Sequence, residues 1–216
     1  MTKRLIFIDM DGTIIHGVYS GALLCRLNGA DEALREADLR ERRGDIDWQE
    51  GDHIRARLME GLSLKRIEEN LRWLPIIKDL PEFIAAVKAL AFIPILASAG
   101  PQVVAEVLAE KYRFAGYFAS EYGVRDGCMT GRINHLVTTQ GKADRALMIC
   151  RERKIDPADC VAVGDGGSDL RMFSAVGCAI AFNGMPAAQA AARWRVDSGS
   201  ILDVLPLVEQ FCLQSV

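Results

Sequence analysis

The sequence predicts an α/β protein built on a Rossmann-like, doubly wound parallel sheet, with a small helical cap inserted after the first strand. Three observations predict it. Short apolar runs recur at residues 5–8, 92–97, 160–163 and 178–181, each leading into Gly, Ser or Asn. Helical periods separate them: Phe83, Ile84, Val87 and Leu90 follow Pro81, and Val104, Val107 and Leu108 follow Pro101. From residue 14 to residue 78 the texture becomes charge-dense, with strand signals almost gone. Buried strands alternating with helices specify a parallel sheet covered on both faces. The expected division is a core of residues 1–14 and 79–216 and a helical cap of residues 15–78.

In chain order, the first run ends in Asp9-Met10-Asp11-Gly12-Thr13. Side chains two apart on a strand share a face, so the two carboxylates emerge together where the sheet stops. Gly12 permits a sharp turn there. Helical stretches are expected over 31–43 and 54–73, and their position after the carboxylate loop puts them above the sheet's carboxyl edge, where they would serve as a lid. Further on, Asp126-Gly127 separates two short runs as a hairpin signal. Alanine-rich residues 187–192 favour a helix.

At 216 residues, half of them hydrophobic, the chain supports one substantial core and a subdomain. A net charge of -3 gives no basic footprint for nucleic acid, which leaves a small molecule as the expected partner. The six cysteines form neither a CxxC pair nor a zinc-like spacing and are expected to be reduced. Lys3 and Arg4 precede only a short apolar run, too short for a signal peptide or a membrane span, so the expected location is the cytoplasm. Oligomeric state is not legible.

Ligands of open α/β sheets bind outside the carboxyl ends of the strands. Polar groups follow the runs at Asp9 and Asp11, at Ser98-Ala99-Gly100, and at Gly164-Asp165-Gly166-Gly167-Ser168-Asp169, with Lys142 opening a helix between the last two. Clustered aspartates repel unless a hard cation neutralises them, and Mg2+ takes few carboxylates plus water and phosphate oxygens. Lys142 and Ser98 add the charge and the donor that a phosphoryl group needs.

These four motifs, in this order, resemble those of the haloacid dehalogenase superfamily. The helical insertion and the hairpin before Lys142 resemble the branch containing phosphoserine phosphatase. The resemblance implies a Mg2+-dependent phosphomonoesterase for a small phosphorylated metabolite, acting through an aspartyl-phosphate. It makes Asp9 the nucleophile and Asp11 the acid and base. Ser98, with Ala99, Gly100 and Ser168, would line the phosphoryl pocket beside Lys142, while Thr13 would brace the loop at its substrate side. Asp9, Asp165 and the Asp11 carbonyl would bind the metal, with Asp169 at the metal or its waters. A cap arginine, Arg55 or Arg57, stands where related phosphatases hold a substrate carboxylate, and Arg57 is counted with the substrate-binding residues.

Two departures bear on substrate. Residues 14–20 hold neither Asp nor Glu, although phosphoserine phosphatases place there an acid that grips the substrate's amine. Ser98-Ala99-Gly100 replaces Ser-Gly-Gly, and Ser168 stands where asparagine is common. Phosphotransfer from the same intermediate, and phosphate-ligand binding without catalysis, are the competing functions. An EF-hand is excluded, since a strand precedes Asp9 and Ser20 occupies the place of the closing glutamate. Solvated cap arginines and a loop His16 are the plainer readings of those residues.

Overall fold

The computed structural model describes residues 3–214, so residues 1–2 and 215–216 of the expected core range lie outside the described residues. Its strands are β1 (Arg4–Asp9), β2 (Phe92–Pro101), β3 (Gly116–Arg125), β4 (Cys128–His135), β5 (Val161–Gly164), β6 (Cys178–Phe182) and β7 (Trp194–Val196). Four helices follow β1 directly: α1 (Ser20–Leu27), α2 (Asp31–Arg43), α3 (Trp48–Leu58) and α4 (Leu64–Leu71). The remaining helices are α5 (Leu80–Ala89), α6 (Gln102–Lys111), α7 (Thr139–Arg153), α8 (Leu170–Ala175), α9 (Pro186–Ala191) and α10 (Leu205–Gln214).

The strands form one seven-stranded sheet in the order β4-β3-β2-β1-β5-β6-β7, parallel except for the β3–β4 pair. Alternation along each strand divides the core between its two faces. Ile6, Ile8, Leu96, Val163 and Phe182 pack on the side of α5, α6 and α10, and the helices α1 to α4 join the same cluster. Leu5, Phe7, Ile95, Ala162 and Ala181 pack against α7, α8 and α9 on the other side. Phe7, Phe83 and Phe182 are fully buried, which contributes on the order of 2 kcal/mol each. The doubly wound expectation is thus met, with a mostly parallel sheet that ends in one antiparallel strand. Since β1 lies between β2 and β5, the chain reverses its winding direction at the end of β1, and a crevice opens there.

Three local readings change. The hairpin turn forms at Asp126 and Gly127, whose φ of 50° and 73° suit a two-residue turn, yet β3 also runs parallel to β2 before it reaches that turn. Its first half therefore belongs to the core sheet. The helical stretch expected over 54–73 is broken in two, because Gly61 adopts a φ of 80° and Ser63 then caps α4 by accepting the Arg66 N–H at 3.2 Å. The hairpin grips this break: Gly61 N donates to Met129 O and Met129 N to Leu62 O, both at 2.9 Å. Last, β7 was not foreseen, since Trp194-Arg195-Val196 is too short to register as a pattern and is set by its pairing with β6.

All six cysteines are free thiols, four of them buried. No helix among the described residues is long and apolar enough to cross a membrane.

Candidate active site

The carboxyl ends of β1, β2 and β5 and the first turn of α7 meet at the crevice. Asp9 closes β1 and is buried. Gly12 follows with a φ of 90°, and a Cβ placed on it would lie 2.2 Å from an Asp165 carboxylate oxygen. Only glycine lets the β1 loop and the β5 loop come this close. Thr13 Oγ1 donates to Asp165 Oδ1 at 3.3 Å and is itself fully buried. Thr13 thus ties the β1 loop to the β5 loop, and it is not among the residues that line the cavity described below.

Oxygens of Asp9, Asp165 and Asp169 lie within 4.8 Å of one another, all three residues buried. The Lys142 ammonium enters this cluster from α7, bonded to Asp9 Oδ1 and, at 2.6 Å, to Asp169 Oδ1. Lys142 is completely buried. Burial works against its charge, but Asp169 and Asp9 outweigh that and hold the ammonium above its usual range. On the acids, burial drives Asp9 well upward, with Lys142 pulling back, and raises Asp165 to about 6, with Asp169 adding to the push. Three carboxylates around one ammonium are short of positive charge, and such a donor set suits a hard divalent cation.

Asp11 stands apart from that group. Its Oδ1 accepts the Ser20 N–H and its Oδ2 the Ser20 hydroxyl, each at 2.6 Å, so its side chain faces the start of α1 and not the other carboxylates. Only its backbone carbonyl remains to serve the expected role as a metal ligand. Burial pushes the Asp11 carboxyl up to about 6, against the two Ser20 hydrogen bonds that lower it. The sequence reading missed Ser20, whose one visible signal was its position at the start of a helix above the first motif.

Ser98, Ala99 and Gly100 sit on a bulge. Ala97 pairs with Phe118 and Pro101 with Ser120, so three residues of β2 loop out against one of β3. Ser120 Oγ holds the bulge by donating to Ala99 O at 2.6 Å. Ser98 Oγ accepts the Gly100 N–H at 2.9 Å. Gly100 is required for space, since a Cβ there would come within 2.7 Å of Asp11 Oδ2.

A cavity of about 640 Å³ unites these groups. Asp9, Asp11, Asp165, Ser98 and Ser168 form its floor. Its opposite wall comes from α2 and α3, through Asp38, Glu41, Asp52 and Arg55. Arg57, the expected cap arginine, is exposed and does not line it. Two residues on a helix point about 200° apart, so Arg55 and Arg57 could not both face inward. Arg55 binds Asp38 at 2.9 Å, Glu41 at 2.6 Å and Asp52 at 3.0 Å. Sequence reasoning named none of these three acids, because they are dispersed over two helices of a charge-dense stretch.

A model of the haloacid dehalogenase-like hydrolase family matches residues 6–174. The chain belongs to that family. A phosphoserine phosphatase of Idiomarina loihiensis is 31% identical to this haloacid dehalogenase-like hydrolase over 210 residues, 97% of this chain and 95% of that one. A phosphoserine phosphatase of Lactococcus lactis is 27% identical over 209 residues, 96% of each chain. In fold, a solved phosphoserine phosphatase captured as an analogue of its phospho-aspartyl intermediate matches with a TM-score of 0.85 at 23% identity, over 96% of this chain and 100% of that one. The hydrolase is therefore a phosphoserine phosphatase-like enzyme of its family, as the helical insertion and the hairpin before Lys142 led one to expect.

Proposed function

We propose that this hydrolase is a Mg2+-dependent phosphomonoesterase that acts on a small phosphorylated metabolite through an aspartyl-phosphate, with helices α1 to α4 as its cap. One observation carries the reading: two carboxylates two residues apart open onto one cavity in different surroundings, Asp9 against Lys142 and Asp11 against Ser20. Unlike environments divide a nucleophile from an acid and base.

Asp9, Asp165, Asp169 and the Asp11 carbonyl would hold the cation, which supplies charge neutralisation for an incoming phosphoryl group. Asp9 attacks phosphorus as the ester P–O bond breaks. Protonated Asp11 gives its proton to the departing oxygen, and a carboxyl raised to about 6 is suited to that. Water then attacks the phosphorus of the acyl phosphate, Asp11 takes the water's proton, and the Asp9 carboxylate is restored as inorganic phosphate leaves. Lys142 offsets charge beside Asp9, and the Ser98 O–H, whose oxygen already accepts from Gly100, is free to donate to a phosphoryl oxygen.

The test is Mg2+-dependent hydrolysis of an aryl phosphate. Asp9→Asn should lower turnover at least about a thousandfold and abolish the trapped phosphoenzyme. Undiminished turnover by that variant overturns the assignment of the nucleophile.

A further inference from the structure

Resting on the phosphatase reading, we infer that the leaving alcohol of the substrate carries a positively charged amine and no carboxylate, the chemistry of an amino-alcohol phosphate. The wall that faces the leaving group, and not the phosphoryl floor, supports this.

Arg55 is the only Lys or Arg among the described residues that line the cavity. A guanidinium grips a carboxylate through one of two edges, Nε with Nη2 or Nη1 with Nη2, and each edge uses an Nη2 hydrogen. Both Nη2 hydrogens are taken here, one by Asp38 and one by Glu41, while Nη1 donates to Asp52. No bidentate edge remains for a substrate carboxylate. Arg55 instead gathers three acids whose summed charge exceeds its own by two.

The same cavity is lined by Tyr19, Trp48 and Tyr122. Tyr19 is 61% exposed and Trp48 37% exposed, so the cavity that holds the acids is also lined by large, partly open aromatic side chains. Aromatic faces and carboxylates share one preference, for a cation. Residues 14–20 supply no acid to hold an amine, and Asp38, Glu41 and Asp52 provide that charge from the opposite side. A carboxylate there would meet net negative charge and no free fork. A neutral polyol would leave the excess negative charge of the wall uncompensated.

The experiment compares kcat/KM of the wild-type enzyme with Mg2+ for phosphoethanolamine, phosphocholine, phosphoserine and glycerol phosphate, with an aryl phosphate as the generic substrate. One or both amino-alcohol esters should exceed phosphoserine and glycerol phosphate by about tenfold or more. The primary and quaternary amines show whether hydrogen bonds to the acids or contact with the rings dominates. Glu41→Ala, which releases one Nη2 hydrogen, should lower the preference for the amino-alcohol ester and raise kcat/KM for phosphoserine. Aryl phosphate turnover with a smaller preference than this in the wild type overturns the inference alone. Inertness toward every ester, the aryl phosphate included, overturns the phosphatase reading and this inference with it.

Discussion

The cluster of Asp9, Asp165 and Asp169 about Lys142 at the floor of the cavity and the cluster about Arg55 on its wall are built from the same ingredients, three carboxylates around one cation, and they differ in water. On the floor, Lys142 and Asp169 have no exposed side-chain surface and Asp9 has 6%. On the wall, Arg55 keeps 16% and its partners 22% to 31%. Excess negative charge in a dry site is costly and calls for a second, multivalent cation, whereas at a half-wet site solvent and salt screen much of the repulsion. The difference teaches why a metal and phosphoryl role is proposed for one cluster and a reading of substrate charge for the other.

The largest effect is expected from Lys142→Met, which breaks the buried pair and strands Asp9 and Asp169 without a cation. Metal-free denaturation at pH 7.5 should show a loss of about 3 kcal/mol or more, shrinking as acid protonates the carboxylates. A loss below about 1 kcal/mol would mean that the floor is as solvated as the wall. Next comes Mg2+ itself, which should stabilise the fold by about 2.7 kcal/mol at a hundredfold excess over its dissociation constant, read as a rise in Tm against chelator-treated enzyme. The sign of its pH dependence follows from Asp165. Its folded-state pKa, raised to about 6, means that below that pH a proton occupies the carboxyl and the cation must expel it. The Mg2+-induced rise should thus be full at pH 7.5 and fade as pH falls through 6, and a rise independent of pH would remove Asp165 from the ligands. The smallest effect is Arg55→Met, expected to cost about 1 kcal/mol and less in high salt, because the wall is partly solvated. A salt-independent loss of 3 kcal/mol would erase the contrast between the two clusters.

Much of the floor was legible in the chain because its residues follow strands. Apolar runs of four to six residues end where a sheet ends, so Asp9, Ser98 and Asp165 could be placed at one edge before any contact was known. Lys142 was legible through its place in the order of motifs. That Thr13 belongs to the loop was legible, but its partner Asp165 was not, since the direction of a hydroxyl depends on the neighbouring loop that Gly12 admits. Arg57 was preferred to Arg55 because a charge-dense helix offers little apolar phase to tell inner from outer face. The helix break at Gly61 is stabilised by hydrogen bonds from a hairpin more than sixty residues away, and β7 by its pairing with β6.

By itself, the sequence determined the class of fold, the strand ends and the kinds of group that meet there, because burial periodicity and turn chemistry act over a few residues. Only the tertiary structure decided which acids share which cation, that Ser20 holds Asp11, and that Arg55 has no free fork. Those outcomes depend on distances between separate elements and on how much water reaches each pair, and neither is written in local order along the chain.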